Sequence, residues 1–254
     1  MRTLLSQRHG LIVQGVPAEV DNSESGAFTH TLDKKYKDNK KIPAIVVTQQ
    51  AKDFPMPAYW HSQLSINSDS NLIRFGHQYL SIHFLKKNDS KYDTFSDTLE
   101  PVIVDTLNTW ADIISDRRGV LPVNMIGFGY INTFVDFALD GFDLSKYFRY
   151  SFGVDNSEIE ASLSAVKTSF TILENKTSIP IILEIEVGPN PKKPGFMKVV
   201  TKVMAQRLKT THIPQKDTKK IMEEIKGMKD LAADTFFGFV TDETKKIMEA
   251  QYAK

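Results

Sequence analysis

Apolar and polar positions recur along this chain with two different periods, and the change from one to the other predicts its elements. Residues 60–66, 71–75 and 79–85 are short runs rich in β-branched and aromatic side chains. Asn67-Ser68-Asp69-Ser70 separates the first two and Gly76 with its neighbours the second and third, so an antiparallel meander is expected. The period then lengthens. Leu99, Val102, Ile103, Thr106, Leu107, Trp110, Ile113 and Ile114 share one helical stripe, with Asp105, Asn108 and Asp112 facing away. Pro101 places the start of this helix near Thr98, and Arg117, Arg118 and Gly119 mark its end. The run LPVNMIGFGYINTFVDF at residues 121–137 follows, apolar in both parities, as a central strand covered on both faces would be. Gly127 and Gly129 sit two apart within it. Such glycines mark a bulge or a close approach by another backbone or a ligand, and a bulged core strand is the commoner outcome.

The second half repeats this grammar. Residues 160–173, 179–187 and 197–208 predict strands, and the proline-rich loop 188–195 predicts an exposed hairpin tip. Asp217 is suited to cap a long helix bearing Ile221, Ile225, Met228, Leu231, Ala232, Phe236 and Phe239, and Thr241 or Asp242 to cap a last one. Toward the N-terminus, residues 11–16 and 42–48 predict short strands, 21–25 a turn and 32–41 an exposed helix. Pro55 and Pro57 make residues 54–57 an extended connector. The expected fold is α+β in two lobes, 1–138 and 139–254, each an antiparallel meander covered by a helix, the second with two terminal helices. The aromatic-rich connector 139–155, with Phe142, Tyr147, Phe148, Tyr150 and Phe152, is expected to pack between the lobes rather than form an exposed patch.

Composition narrows the function classes. The chain has 254 residues, 41% hydrophobic and 25% charged, as in an ordinary globular protein. With 32 basic and 31 acidic residues the net charge is +1, so charge gives no indication of nucleic acid. There is no cysteine, which excludes disulfides, thiolate metal sites and cysteine nucleophiles. No apolar run approaches the roughly 18 residues of a membrane span, and no signal peptide is apparent. A cytoplasmic location without membrane contact is the expectation.

Candidate chemistry is sparse. His77 and His83 flank the third strand of the first meander at even spacing and His61 lies near the first, so these three are the candidate metal ligands. Ordinary histidines are the simpler account, since no HxH or HExxH spacing occurs. Glu184 and Glu186 share a strand face as an acid/base pair would, although ILEIEV is also the alternation of a half-solvated strand. Arg74, Arg149 and Arg207 are isolated cations, and Lys192 and Lys193 occupy the predicted loop tip. No P-loop, GxGxxG or GxSxG motif is present, and neither a catalytic residue nor a cofactor is assigned.

Three stretches carry a family resemblance: residues 59–85, GFGYINTF at 127–134, and MKDLAADTFFGFVTDETKKIME at 228–249. Together they resemble a sporadically distributed bacterial protein family of similar length with no settled activity. The second stretch is similar to a family motif of glycine, apolar residue, arginine, tyrosine, apolar residue, asparagine, with Gly129 standing where arginine is usual. Gly127, Gly129, Tyr130 and Asn132 are therefore the candidate binding residues. The resemblance implies a bacterial protein, and sporadic occurrence suggests a defence or toxin–antitoxin module. The leading expectation is a non-enzymatic interaction or regulatory component that binds a protein partner or forms a homodimer through an edge strand. The alternative is a metal-dependent hydrolase or nuclease using His61, His77 or His83. An RNA-binding sheet face bearing Phe75 and Tyr79 is the weaker third.

Overall fold

The computed structural model describes residues 5–14, 22–36, 40–42, 50–51, 54–55, 62–66, 71–76, 79–85, 95–118, 120–138, 142–149, 166–173, 179–214 and 218–252. In chain order these form β1 (Leu5–Gln14), α1 (Asn22–Lys35), β2 (Lys40–Ile42), β3 (Gln50–Ala51), β4 (Phe54–Pro55), β5 (Ser62–Ile66), β6 (Asn71–Gly76) and β7 (Tyr79–Leu85). There follow α2 (Phe95–Thr98), α3 (Glu100–Arg118), β8 (Val120–Ala138), β9 (Val166–Leu173), β10 (Pro180–Pro189), β11 (Phe196–Pro214), α4 (Lys219–Phe239) and α5 (Asp242–Tyr252). The described residues are α+β, with antiparallel strand pairs throughout the named registers. They gather into two compact units, each assembled from separated segments. The first comprises Arg8–Phe128 with Gln206–Gly227, and the second Met1–Gln7, Gly129–Ala205 and Met228–Lys254.

In the first unit the strands neighbour one another in the order β2-β5-β6-β7-β1. The predicted meander is present as β5-β6-β7, antiparallel at each step. Its register aligns Leu64 with Ile73 and Ile73 with Ile82. All three are buried, so one row of branched side chains crosses the three strands. Burying each such side chain contributes about 1.5–3 kcal/mol before entropy is counted. Leu99, just before α3, and Val102, Ile103, Leu107 and Trp110 within it are buried as the stripe predicts. Pro101 is the second residue of α3, where its missing N–H costs no helical hydrogen bond.

Two expectations for this unit need correction. The helix expected at 32–41 lies at Asn22–Lys35, and the chain resumes as strand at Lys40. Phe28 and Leu32, four residues apart, are both buried and set the inner stripe, while the Asn and Ser expected to make a turn sit in its first turn. Asp105 does not simply face water. Its carboxylate accepts a hydrogen bond from the Tyr36 hydroxyl at 3.0 Å and pairs with Lys35 Nζ at 2.5 Å, tying the end of α1 to α3. Burial, and then the neighbouring Asp105 charge, push the Tyr36 phenol well above its usual range. The first turns of α4 run antiparallel to α3. Thr218 donates to Asn108 Oδ1 at 2.8 Å, and Lys226 meets Glu100 at 2.6 Å.

In the second unit the order is β8-β11-β10-β9. Strand β10 alternates strictly: Ile181, Leu183, Ile185 and Val187 are buried, while Glu184 and Glu186 face outward. The hairpin tip forms where expected, with the Asn190 side chain accepting from the Lys192 amide at 3.0 Å and Gly195 at φ +79°. A second buried stripe, Met228, Ala232 and Phe236, lines α4.

The aromatic connector packs inside this unit. Phe148 is fully buried, edge-to-face on Phe134 at 5.4 Å and 5.5 Å from Phe239, and Tyr147 lies 4.5 Å from Phe137. Tyr150 and Phe152 fall outside the described residues. The chain is pinned here by polar contacts as well. Phe148 bridges Val240, the Arg149 amide donates to the Phe239 carbonyl at 2.8 Å, and the Thr241 amide to the Tyr147 carbonyl at 3.0 Å. Thr241 stands just before α5 as predicted, its Oγ1 accepting from the Thr244 amide at 3.4 Å.

Candidate functional site

Among the described residues the sequence-derived candidates do not converge. Along β8, strand alternation sets Gly127 and Gly129 on one face and Tyr130 and Asn132 on the other. Gly129 has a structural task. A Cβ built there would lie 2.6 Å from the Val203 carbonyl oxygen and 3.2 Å from Met204 Cα, so the backbone of β11 occupies the space a side chain would need. Of the partners a strand glycine permits, backbone or ligand, the structure has a backbone. Asn132 is buried and Tyr130 half-buried.

Of the histidines, His61 and His77 lie outside the described residues. His83 is half-buried, with Nε2 3.0 Å from Ser81 Oγ. Its register neighbours are Gly10 on β1 and Leu72 on β6, neither a ligand. Among the described residues no group of three His, Cys, Asp or Glu side chains is placed to hold a metal.

Glu184, Arg149, Arg207 and Lys193 have ordinary partners, and the Arg74 side chain lies outside the described residues. Glu184 stands opposite Lys202 across β10 and β11 and pairs with it at 3.4 Å, while Glu186 is exposed. Arg207, isolated in sequence, meets Glu224 of α4 at 2.5 Å in a mostly buried ion pair. Arg149 lies 3.7 Å from Asp242 at the start of α5. Lys193 lies over the Phe196 ring at 3.9 Å, leaving the exposed Lys192 beside it at the tip. No helix among the described residues is long and apolar enough to cross a membrane.

One surface departs from these satisfied groups. Strand β9, VKTSFTIL, pairs with β10 along all eight of its residues, from Val166 opposite Val187 to Leu173 opposite Pro180. It is a terminal strand, and among the described residues nothing pairs with its other edge. Ile172 is 42% exposed and Leu173 61% exposed, two of the few large apolar side chains so open to water. Ser169 and Thr171 are exposed beside them. Lys167 is the only charge in the strand, and the stretch from Thr168 to Leu173 has no proline, glycine or ionised group. Among the described residues, a terminal strand of this composition carries no device that repels a second strand. Sequence periodicity predicted this strand. It carried no sign that the strand is terminal, because strand order arises from pairing over long sequence separations.

Comparison of the chain with protein-family profiles, with curated proteins and with solved structures found no match.

Proposed function

We propose that this chain is a non-enzymatic protein-interaction or regulatory component that receives an added β-strand at the edge of β9 that no described strand pairs. The observation that carries it is that edge, eight residues long with Ile172 and Leu173 exposed. Strand addition supplies main-chain hydrogen bonds along the edge, and alternate side chains supply the selectivity. The family resemblance favours a cytoplasmic place in a bacterial defence or toxin–antitoxin module.

The test is recovery of the tagged chain from cells that express it, with protein identification and metal analysis of the same eluate. The wild-type chain is expected to retain a stoichiometric protein that a Leu173→Lys variant loses. A bound metal or a hydrolytic activity abolished by His77→Ala and His83→Ala overturns this reading and makes the chain an enzyme.

A further inference from the structure

The near-zero net charge conceals an uneven distribution. Residues 187–216 carry seven lysines and arginines and no acidic residue. Two of these cations are matched inside the chain, Lys202 by Glu184 and Arg207 by Glu224. Three others, Lys192, Lys193 and Lys198, gather at the turn that joins β10 to β11. Lys192 and Lys193 are exposed and Lys198 is half-buried. Among the described residues no carboxylate pairs with Lys192 or Lys198. Lys198 stands opposite Gly188, which has no side chain to meet it. Glu186, the acidic residue nearest in sequence, stands opposite Lys167 on β9.

The turn that carries these cations is internally braced. The Asn190 amide donates to the Phe196 carbonyl at 2.8 Å, the Lys193 amide to the Asn190 carbonyl at 3.1 Å, and the Phe196 amide to the Lys193 carbonyl at 3.2 Å. Pro191 and Pro194 fix φ on either side of the two lysines. The Lys193 ammonium is held 3.9 Å from the centre of the Phe196 ring. Cations on a backbone that is already ordered lose less freedom when they meet an anion.

The composition of the turn selects the kind of anion. Residues 189–195 expose proline, lysine and glycine and no large apolar side chain, so nothing there can enter the acyl boundary of a membrane. The one ring, Phe196, lies under Lys193 and offers that face to no unpaired base. Positive charge without apolar or stacking surface suits the regularly spaced phosphates of a duplex. The major groove of B-form DNA, about 12 Å wide, admits a two-stranded β-ribbon, whereas that of A-form RNA is closed to side chains. We infer that the turn between β10 and β11 binds duplex DNA independently of base sequence, with Lys192, Lys193 and Lys198 on its phosphates. This surface is separate from the edge of β9, and the inference does not depend on strand addition.

Fluorescence anisotropy of the full chain with a short labelled DNA duplex tests it. Binding is expected at low salt, with log affinity falling against log salt at a slope of about −2.7 for three phosphates. Lys192→Gln with Lys198→Gln is expected to weaken binding at least about tenfold and to flatten the slope by about 2. Lys192→Gln alone, at an exposed position, is expected to flatten it by about 1. Lys192→Arg with Lys198→Arg is expected to keep wild-type binding. Lys219→Gln with Lys220→Gln, at exposed positions on α4, is expected to change nothing. No binding at low salt overturns the inference, as does an equal loss from the turn pair and the α4 pair. Tighter binding to single-stranded RNA, phosphatidylserine vesicles or poly-glutamate than to the duplex overturns the choice of DNA.

Discussion

The two units solve the same problem with different materials. The first ties its helices with polar contacts: Tyr36 and Lys35 on Asp105, Thr218 on Asn108, Lys226 on Glu100, Arg207 on Glu224. Its terminal strand, β2, is three residues long and two of them are lysines. Shortness and lysine are the usual protections of a sheet edge. The second unit is pinned by aromatic packing of Phe134, Phe137, Tyr147, Phe148 and Phe239, and by a strand contact close enough to require Gly129. Its terminal strand, β9, is long, nearly uncharged and apolar at one end. The first edge carries the usual protections of a sheet margin; among the described residues the second does not.

If this contrast holds, the largest loss of stability follows from removing the aromatic pin. Phe148→Ala is expected to cost about 3–5 kcal/mol, read as a lower denaturant midpoint, because the fully buried ring leaves a cavity among its neighbours. A cost below that of any polar substitution in the first unit would break the comparison. Gly129→Val comes next, at about 2–3 kcal/mol, since its side chain must displace the backbone at Val203. Hydrogen exchange is expected to rise most along β8 and β11.

In the first unit, Glu224→Gln removes a carboxylate charge that pairs with Arg207 in a mostly buried position. The expected cost, about 1–3 kcal/mol, is measurable by the same titration. Tyr36→Phe deletes the hydrogen bond to Asp105 and is expected to cost about 1 kcal/mol at neutral pH. Its pH dependence sharpens the assignment. The folded phenol is held above its usual value, so the unfolded chain releases the proton first as pH rises past about 10. The stability contributed by Tyr36 is complete below that pH and declines above it, a slope that the phenylalanine variant lacks. Smallest in stability is Leu173→Lys, expected within about 0.5 kcal/mol because the side chain is mostly in water. It is nonetheless expected to lose the co-purified protein, whereas Lys41→Thr on β2 is expected to retain it.

Much of this architecture was legible in the chain. The 3.6-residue stripe of Leu99 to Trp110, the alternation of residues 181–187, and the turn chemistry of Asn190 and Gly195 are local patterns whose periods match what forms. The helix at 22–35 was misplaced, because Phe28 and Leu32 are an ambiguous pair beside Asn and Ser, which serve equally in a turn or a first helical turn. The candidate sites were legible only as residue types. Gly129 was marked as a place of close approach, but which group approaches depends on β11, more than seventy positions further along the chain in sequence.

The sequence by itself determined the class of fold, the spans of most elements, and the absence of cysteine chemistry. Those follow from composition and from periods of two and 3.6, which any short segment carries within itself. Only the tertiary structure decided that Arg207 faces Glu224, that Gly129 makes room for a backbone, and that β9 ends its row of strands. Each of these is a pairing between residues remote along the chain, and it is fixed by the burial of many side chains at once, which no local pattern records.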